Sequence, residues 1–350
     1  MKYLLGVVLV IASCGQRKDR ENVAVEGAVE ADLSGIGRPT LSSYHFFKGP
    51  LKNLEPGQGV VPYTINAALF SDYAFKKRFI KIPKSLRIAY HASEVFDFPE
   101  GTVLIKNFYY PEDFSKPEEN LRILETRLMI LENGSWKALP YVWNEEQTEA
   151  YLDVAGRTLT VSWKHSDGTI RKIDYSVPNV NQCRGCHLKG DKVMPIGPSA
   201  RQLNLGNPHN QLAEWSSLGI LTGMPDVTSV PRLASYEDKA ETIAGRARAW
   251  LEINCSHCHR PDGQAKTSGL HLAANVRSSY ELGIGKAPVA AGKGSGGLHF
   301  GIIPSHPEES ILLFRIASSD PGIMMPEMGR KLVHTEGVDL IRQWILEMKP

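Results

Sequence analysis

Cys255-Ser256-His257-Cys258-His259 is a C-x-x-C-H segment placed where a predicted helix ends. In this pattern two thiols can each add across one vinyl group of a single porphyrin, and the next residue presents an imidazole to the iron. Cys255 and Cys258 are the candidate thioether residues, and His259 is the candidate iron ligand. The same order and spacing occur at Cys183-Arg184-Gly185-Cys186-His187, with Cys183, Cys186 and His187 in the matching roles. The expectation is two covalently attached c-type haems.

A structural zinc site built from the two C-x-x-C pairs is the alternative, because four thiolates satisfy tetrahedral zinc. Zinc has no need of a histidine after each pair. Residues 187–254 also separate the pairs, against roughly 15 to 20 positions in common zinc arrangements. Haem is the better reading of the doubled motif.

The chain has 350 residues, a length that favours two domains. A formal charge of +2 with 22% charged residues gives no broad attraction to nucleic acid or to a membrane. Four of the five cysteines fall in the motifs, and the fifth is Cys14. Met1 to Cys14 carries one cation, Lys2, and an apolar run from Tyr3 to Ala12 that is too short to span a bilayer as a helix. This is the pattern of an export signal. Its end, Ile11-Ala12-Ser13-Cys14-Gly15, resembles a bacterial lipobox, which makes Cys14 the candidate lipidated residue. Ordinary cleavage with Cys14 as a bystander is the alternative. Gly15 in place of Asp favours the outer membrane of a Gram-negative host, so the expected location is exported and lipid-anchored, facing the periplasm. Residues 15–37 are polar, lack aromatic side chains and read as a disordered tether.

Residues 38–182 have the apolar pattern of strands. Thr102–Ile105, Arg127–Leu131, Thr158–Trp163 and Ile170–Tyr175 are β-branched or aromatic runs of strand length. Asn133-Gly134 and Asp167-Gly168 lie between such runs, and these dipeptides suit the positive φ angles of tight hairpins. An antiparallel sandwich-like or barrel region is expected. Tyr141, Trp143, Trp163 and Tyr175 read as core in preference to a ligand groove, and His91, His165, Glu125, Glu145 and Glu146 as surface groups. Residues 183–232 read as a first haem-binding segment with short helices, including one over 210–221. From 233 to 350 the pattern changes. Ser235 to Asp238 suggests a capping box, with Ala240, Ala244, Ala247 and Leu251 on one helical face leading into Cys255. Thr335 is a plausible N-cap for a last helix bearing Val338, Ile341, Ile345 and Met348. The expected fold is therefore multidomain: an all-β sandwich-like region followed by an all-α class I cytochrome c domain, with Gly245 letting the two helices approach.

A haem with histidine on one side needs a second ligand to transfer electrons with little rearrangement, and methionine there raises the potential. For the second haem the candidate is Met325 in Met324-Met325-Pro326-Glu327-Met328-Gly329, with Met324 and Met328 as fallbacks. For the first haem Met224 is ranked ahead of His209, Met194 and His165. His257 reads as a spectator. Gly292 to Gly297 lacks the flanking strand and Lys-Ser/Thr of a phosphate loop and reads as a loop near a haem edge.

With these residues in place, the chain resembles a family of exported diheme c-type cytochromes in which a β-rich region precedes two C-x-x-C-H segments. Cys183 to His187, Pro195 to Asn204, Cys255 to Pro261, Pro304 to Arg315 and Met325-Pro326 carry the resemblance, which covers about residues 40–350. It implies two haems and an electron-transfer role with a periplasmic redox protein or dehydrogenase as partner. Members tend to be encoded near a parallel β-helix repeat protein. Two other functions are weighed: a diheme peroxidase-like enzyme with one open haem, and a β-rich binding module coupled to a dehydrogenase.

Overall fold

The strand-length runs form the centre of the molecule, seen in a computed structural model that describes residues 35–206 and 210–349. Cys14, the signal segment, most of the tether and His209 lie outside the described residues. Six strands make one antiparallel sheet in chain order: β1 (Val60–Tyr63), β2 (Phe75–Lys81), β3 (Val103–Pro111), β4 (Leu121–Glu132), β5 (Ser135–Trp143) and β6 (Ala150–Leu152). A separate hairpin follows, β7 (Arg157–Lys164) and β8 (Ile170–Val177). Asn133 and Gly134 both take positive φ and close β4 onto β5. In the β7–β8 loop only Gly168 does so, and Asp167 instead accepts the Thr169 amide at 2.9 Å.

The two-residue period of the strands sorts their side chains. On one face Phe79, Ile105, Leu128 and Tyr141 pack with Leu41, Phe46 and Leu54. The other face carries two apolar clusters. Ile80, Leu104, Met129 and Trp136 meet Phe96, Leu212 and Trp215 in one, and Phe108, Tyr110 and Leu124 meet Trp163 and Tyr175 of the hairpin in the other. Tyr141, Trp143, Trp163 and Tyr175 are all buried, as core residues should be. Glu125 and His165 are buried too, contrary to their reading as surface groups. Arg127 donates to Glu125 through Nε at 2.9 Å, and the Trp163 indole donates to His165 Nδ1 at 3.2 Å. Partners on the same face let these polar groups be buried.

Six α-helices lie among the described residues: α1 (Val180–His187), α2 (Ala200–Leu203), α3 (Gln211–Ser217), α4 (Ile243–Leu251), α5 (Ile311–Ile316) and α6 (Thr335–Glu347). The expected helix over 210–221 is the shorter α3, capped by Asn210, and Leu221 instead pairs beside Ile88 in a short parallel ladder. Helix α4 starts later than the Ser235 capping box predicts, because Thr242 supplies the cap by accepting the Gly245 amide at 3.1 Å. Among the described residues no helix is long and apolar enough to cross a membrane.

The expected all-α class I cytochrome c domain over 233–350 is not formed. The regular structure of the chain is mostly β, and this region holds only α4, α5 and α6. Between Ser256 and Ile311 the chain makes short 3₁₀ turns and isolated β-bridges, with no α-helix. Glycines at positive φ, among them Gly269, Gly283, Gly285, Gly296 and Gly297, break any helical period there. Backbone bonds across the loop, such as the Ile302 amide to the Gly283 carbonyl at 2.8 Å, replace helical ones. The core of this region also takes Ala67 and Leu69 from the segment before β2. Asn254 accepts the Phe70 amide at 2.9 Å, and Asp72 accepts the Lys331 and Leu332 amides at 2.7 Å. The expectation that residues 38–182 are β-rich fits the sheet and its hairpin.

Candidate functional site

The first C-x-x-C-H segment is the body of α1. Asn179 and Gln182 form a capping box that starts the helix directly after β8, and His187 is its last residue. Cys183 is buried against the sheet and Cys186 is half-buried. Nδ1 of His187 lies 2.9 Å from the Met194 carbonyl. A carbonyl can only accept, so Nδ1 carries the proton and Nε2 keeps its lone pair. Burial holds this imidazole down at about 4, with Lys106 and Arg127 adding to the effect.

The second segment sits where α4 runs into a wider π-helical turn at Glu252–Ser256. Cys255 is buried, and the Cys258 and His259 amides both bond to its carbonyl, at 3.1 and 2.9 Å. Nδ1 of His259 is 3.1 Å from Ser268 Oγ, whose own proton goes to the Ala265 carbonyl at 2.7 Å. His259 therefore donates through Nδ1 and also keeps Nε2 free. Burial, with Arg315 nearby, holds its ring at about 4.

Folding brings the two segments into contact. The Cys258 thiol lies 3.8 Å from the Gly185 carbonyl inside the first motif. Just beyond the motifs the Gly190 amide donates to the Asp262 carbonyl at 2.8 Å. Lys189 and Arg260, one after each motif, both reach Glu94 at 3.0 Å. Burial alone would raise the Glu94 pKa, but those two cations reverse it and keep the carboxylate charged. All four motif cysteines are free thiols. Burial raises each of them, Cys255 to about 12 and Cys258 to about 11. Among the described residues no group of three or more His, Cys, Asp or Glu side chains converges as a metal site. The tetrahedral zinc alternative therefore finds no four-ligand cluster.

The candidate axial methionines fall in different settings. Met325 lies in the loop between α5 and α6, where its amide donates to the Arg315 carbonyl at 3.1 Å and its carbonyl accepts from Arg330 at 2.9 Å. The charges of Arg315 and Arg330, which hold the Met325 backbone, are felt at His259 and Cys255, and that of Glu327 at Cys258, while Met328 of the same loop lies against Gly185 of the first motif. Met324 is buried and Met328 is exposed. Met224 packs in the apolar cluster of Leu221 and Val227, while Met129 of β4 lines the cavity at His187. Met194 is tied through its carbonyl to the Nδ1 side of His187. His257, read as a spectator, lines a cavity with Cys186 and His187, and its Nδ1 is buried without a hydrogen-bond partner. A histidine inside an attachment loop has no sequence signal of its own. A cavity of about 790 Å³ lined by Arg38, Phe47 and Gln147 includes no residue of either motif. The chain matches no protein-family model, no curated protein and no solved structure.

Proposed function

We propose that the chain is a diheme c-type cytochrome that carries electrons, with its two haems acting as one redox unit. The observation that carries this reading is the joining of the two C-x-x-C-H segments through Glu94, the Gly190–Asp262 bond and the Cys258–Gly185 contact. Separate motifs with separate tasks need no such joint.

The donor chemistry of both segments fits haem. Each offers two free thiols and one neutral imidazole whose outward nitrogen is available because the other is already bonded. Each thiol would add across one vinyl group of a bound porphyrin, sulfur to one carbon and the proton to the other, with no net oxidation. Bound haem would supply a one-electron ferric–ferrous couple. Cys183 and Cys186 would hold one group with His187 as its iron ligand, and Cys255, Cys258 and His259 would hold the other. Met194 and Ser268 fix the two imidazoles in orientation, and Ile196 and Ile253 line the cavity beside His187. Residues before the described region supply the anchor: Cys14 carries the lipid and holds the cytochrome at the outer membrane, where a periplasmic redox protein or dehydrogenase exchanges electrons with it.

The test is to produce the chain with a c-type maturation system and weigh it under denaturing conditions. Two haem masses and two one-electron couples in a redox titration are expected. One haem or none overturns the reading, and a high-spin ferric signal with peroxide turnover replaces the relay with a peroxidase.

A further inference from the structure

Three cations stand side by side on the sheet face that looks toward the first motif. Arg78 of β2 pairs in register with Lys106 of β3, and Lys106 with Arg127 of β4. They fill the band between the two apolar clusters of that face. Like charges directly opposite one another across strands are destabilising, so this row has a cost unless something negative meets it.

The protein's own acceptors answer only part of that charge. Arg127 is held by Glu125 and lies over the Phe108 ring at 4.3 Å. Lys106 lies over the same ring at 4.8 Å, and among the described residues neither Lys106 nor Arg78 has a carboxylate within ion-pair range. Nη2 of Arg78 is buried with no hydrogen-bond partner. Leaving a buried charged donor unmet is costly. Burial, reinforced by the neighbouring cations, pushes Lys106 well below the usual lysine range.

The row lines a cavity of about 120 Å³ whose other walls include His187, Ile196 and Gln202. We propose that Arg78, Lys106 and Arg127 form a carboxylate-binding site, and that its ligand is the pair of propionate groups of the haem held at His187. The assignment rests on the haem reading above. A planar arginine fork and an ammonium group on adjacent strands suit two carboxylates that share one edge of a ligand. The neighbouring His187 places that edge within reach of the same cavity. Of the cations near the second motif, Arg330 is committed to backbone carbonyls of Leu332, Ser318 and Met325 and Arg315 to the Ile323 carbonyl and Glu327, so neither offers an equivalent site.

The holoprotein is compared with Arg78→Gln, Lys106→Gln and the charge-keeping Lys106→Arg, reading covalent haem by mass and both couples by redox titration. Removing a cation beside propionates favours the ferric state. Each Gln variant should keep two haems and shift one couple downward by about tenfold in its ferric–ferrous equilibrium, about 59 mV, leaving the other in place. Lys106→Arg should restore the wild-type value. Two haems with both couples unmoved in the Gln variants overturn this inference alone, whereas a wild-type chain with no covalent haem overturns it together with the reading beneath it. A soluble source is tested by adding succinate to the wild-type holoprotein. A saturable change in stability or spectrum that Arg78→Gln abolishes assigns the site to a free carboxylate ligand and overturns the propionate assignment.

Discussion

The two C-x-x-C-H segments share a pattern and differ in almost everything around it. The first is a capped helix lying on a β-sheet, faced by cations from three strands. The second ends a helix packed among helices, and three methionines lie in the loop between α5 and α6. The cationic surroundings also differ in kind. Arg330 beside Cys255 spends its donors on carbonyls, while Arg78 near His187 has an unmet one. A short motif specifies the tether and one ligand; the fold around it sets ligation on the other side and the electrostatics.

The comparison breaks most visibly by removing one tether at a time. Cys183→Ala with Cys186→Ala should cost one haem mass and leave the second couple in place, and Cys255→Ala with Cys258→Ala should do the reverse. Denaturing mass spectrometry gives the count. If either pair abolishes both haems, the two segments mature as one site and not as two.

Packing under the second motif should be less forgiving than the sheet under the first. A Cβ at Gly337 of α6 would run into the Trp250 indole and the His334 ring, both rigid. Gly337→Ala should therefore destabilise by about 1–3 kcal/mol through overpacking, read as a lower midpoint in urea. His334 sharpens the same point through pH. It accepts the Trp250 indole proton at 2.9 Å and stacks on Phe70. Burial holds its pKa at about 4, against the opposing pull of Glu336 and with a further push from Lys76. The unfolded chain binds a proton near 6.5, so stability is complete above that pH and falls as the pH drops from 6.5 toward 4. The loss attributable to His334 is about 2 kcal/mol at pH 5. Denaturant titrations at pH 7 and pH 5 should show that difference shrinking in His334→Gln.

Ligation is the next smaller effect. Met325→Ala should lower the second couple by about tenfold in equilibrium constant, about 59 mV, since a thioether ligand favours the reduced state. The first couple should stay, and His257→Ala should move only that first couple if its unpartnered nitrogen serves the His187 side. Paramagnetic resonance spectra of the two variants separate these cases, and an unchanged spectrum in Met325→Ala removes Met325 from the ligand set.

What the sequence disclosed follows a physical divide. The strands announce themselves because alternation and β-branching are local: β4, β7 and β8 contain three of the four runs, and β3 takes up the fourth from Val103 onward. The α4 boundary was missed because Ser235 and Thr242 are both good caps, and only packing chooses between them. The all-α C-terminal expectation failed because helices at both ends, α4 and α6, say nothing about the glycine-rich chain between them. Glu125 and the Arg78–Lys106–Arg127 row were invisible for a related reason: each residue alone reads as a solvated charge, and register across three strands is what gathers them. The spacing of the two motifs is visible in the chain itself, but their connection through Glu94 joins positions far apart in it.

The smallest predicted effect concerns the place where the two settings touch. A Cβ at Gly185, inside the first motif, would stand 2.7 Å from Sδ of Met328 and 3.1 Å from its Cε. Met328 belongs to the loop between α5 and α6 and is exposed, so its flexible side chain can turn aside. Gly185→Ala should accordingly cost less than about 1 kcal/mol, unlike Gly337→Ala, whose neighbours are rings. Its value lies in what else moves. If Met328 only packs against the first motif, Met328→Ala rescues the small loss in stability and both couples hold still in either variant. If Gly185→Ala shifts the second couple, the Met325 loop is positioned by the first motif, and the two settings are mechanically linked as well as adjacent.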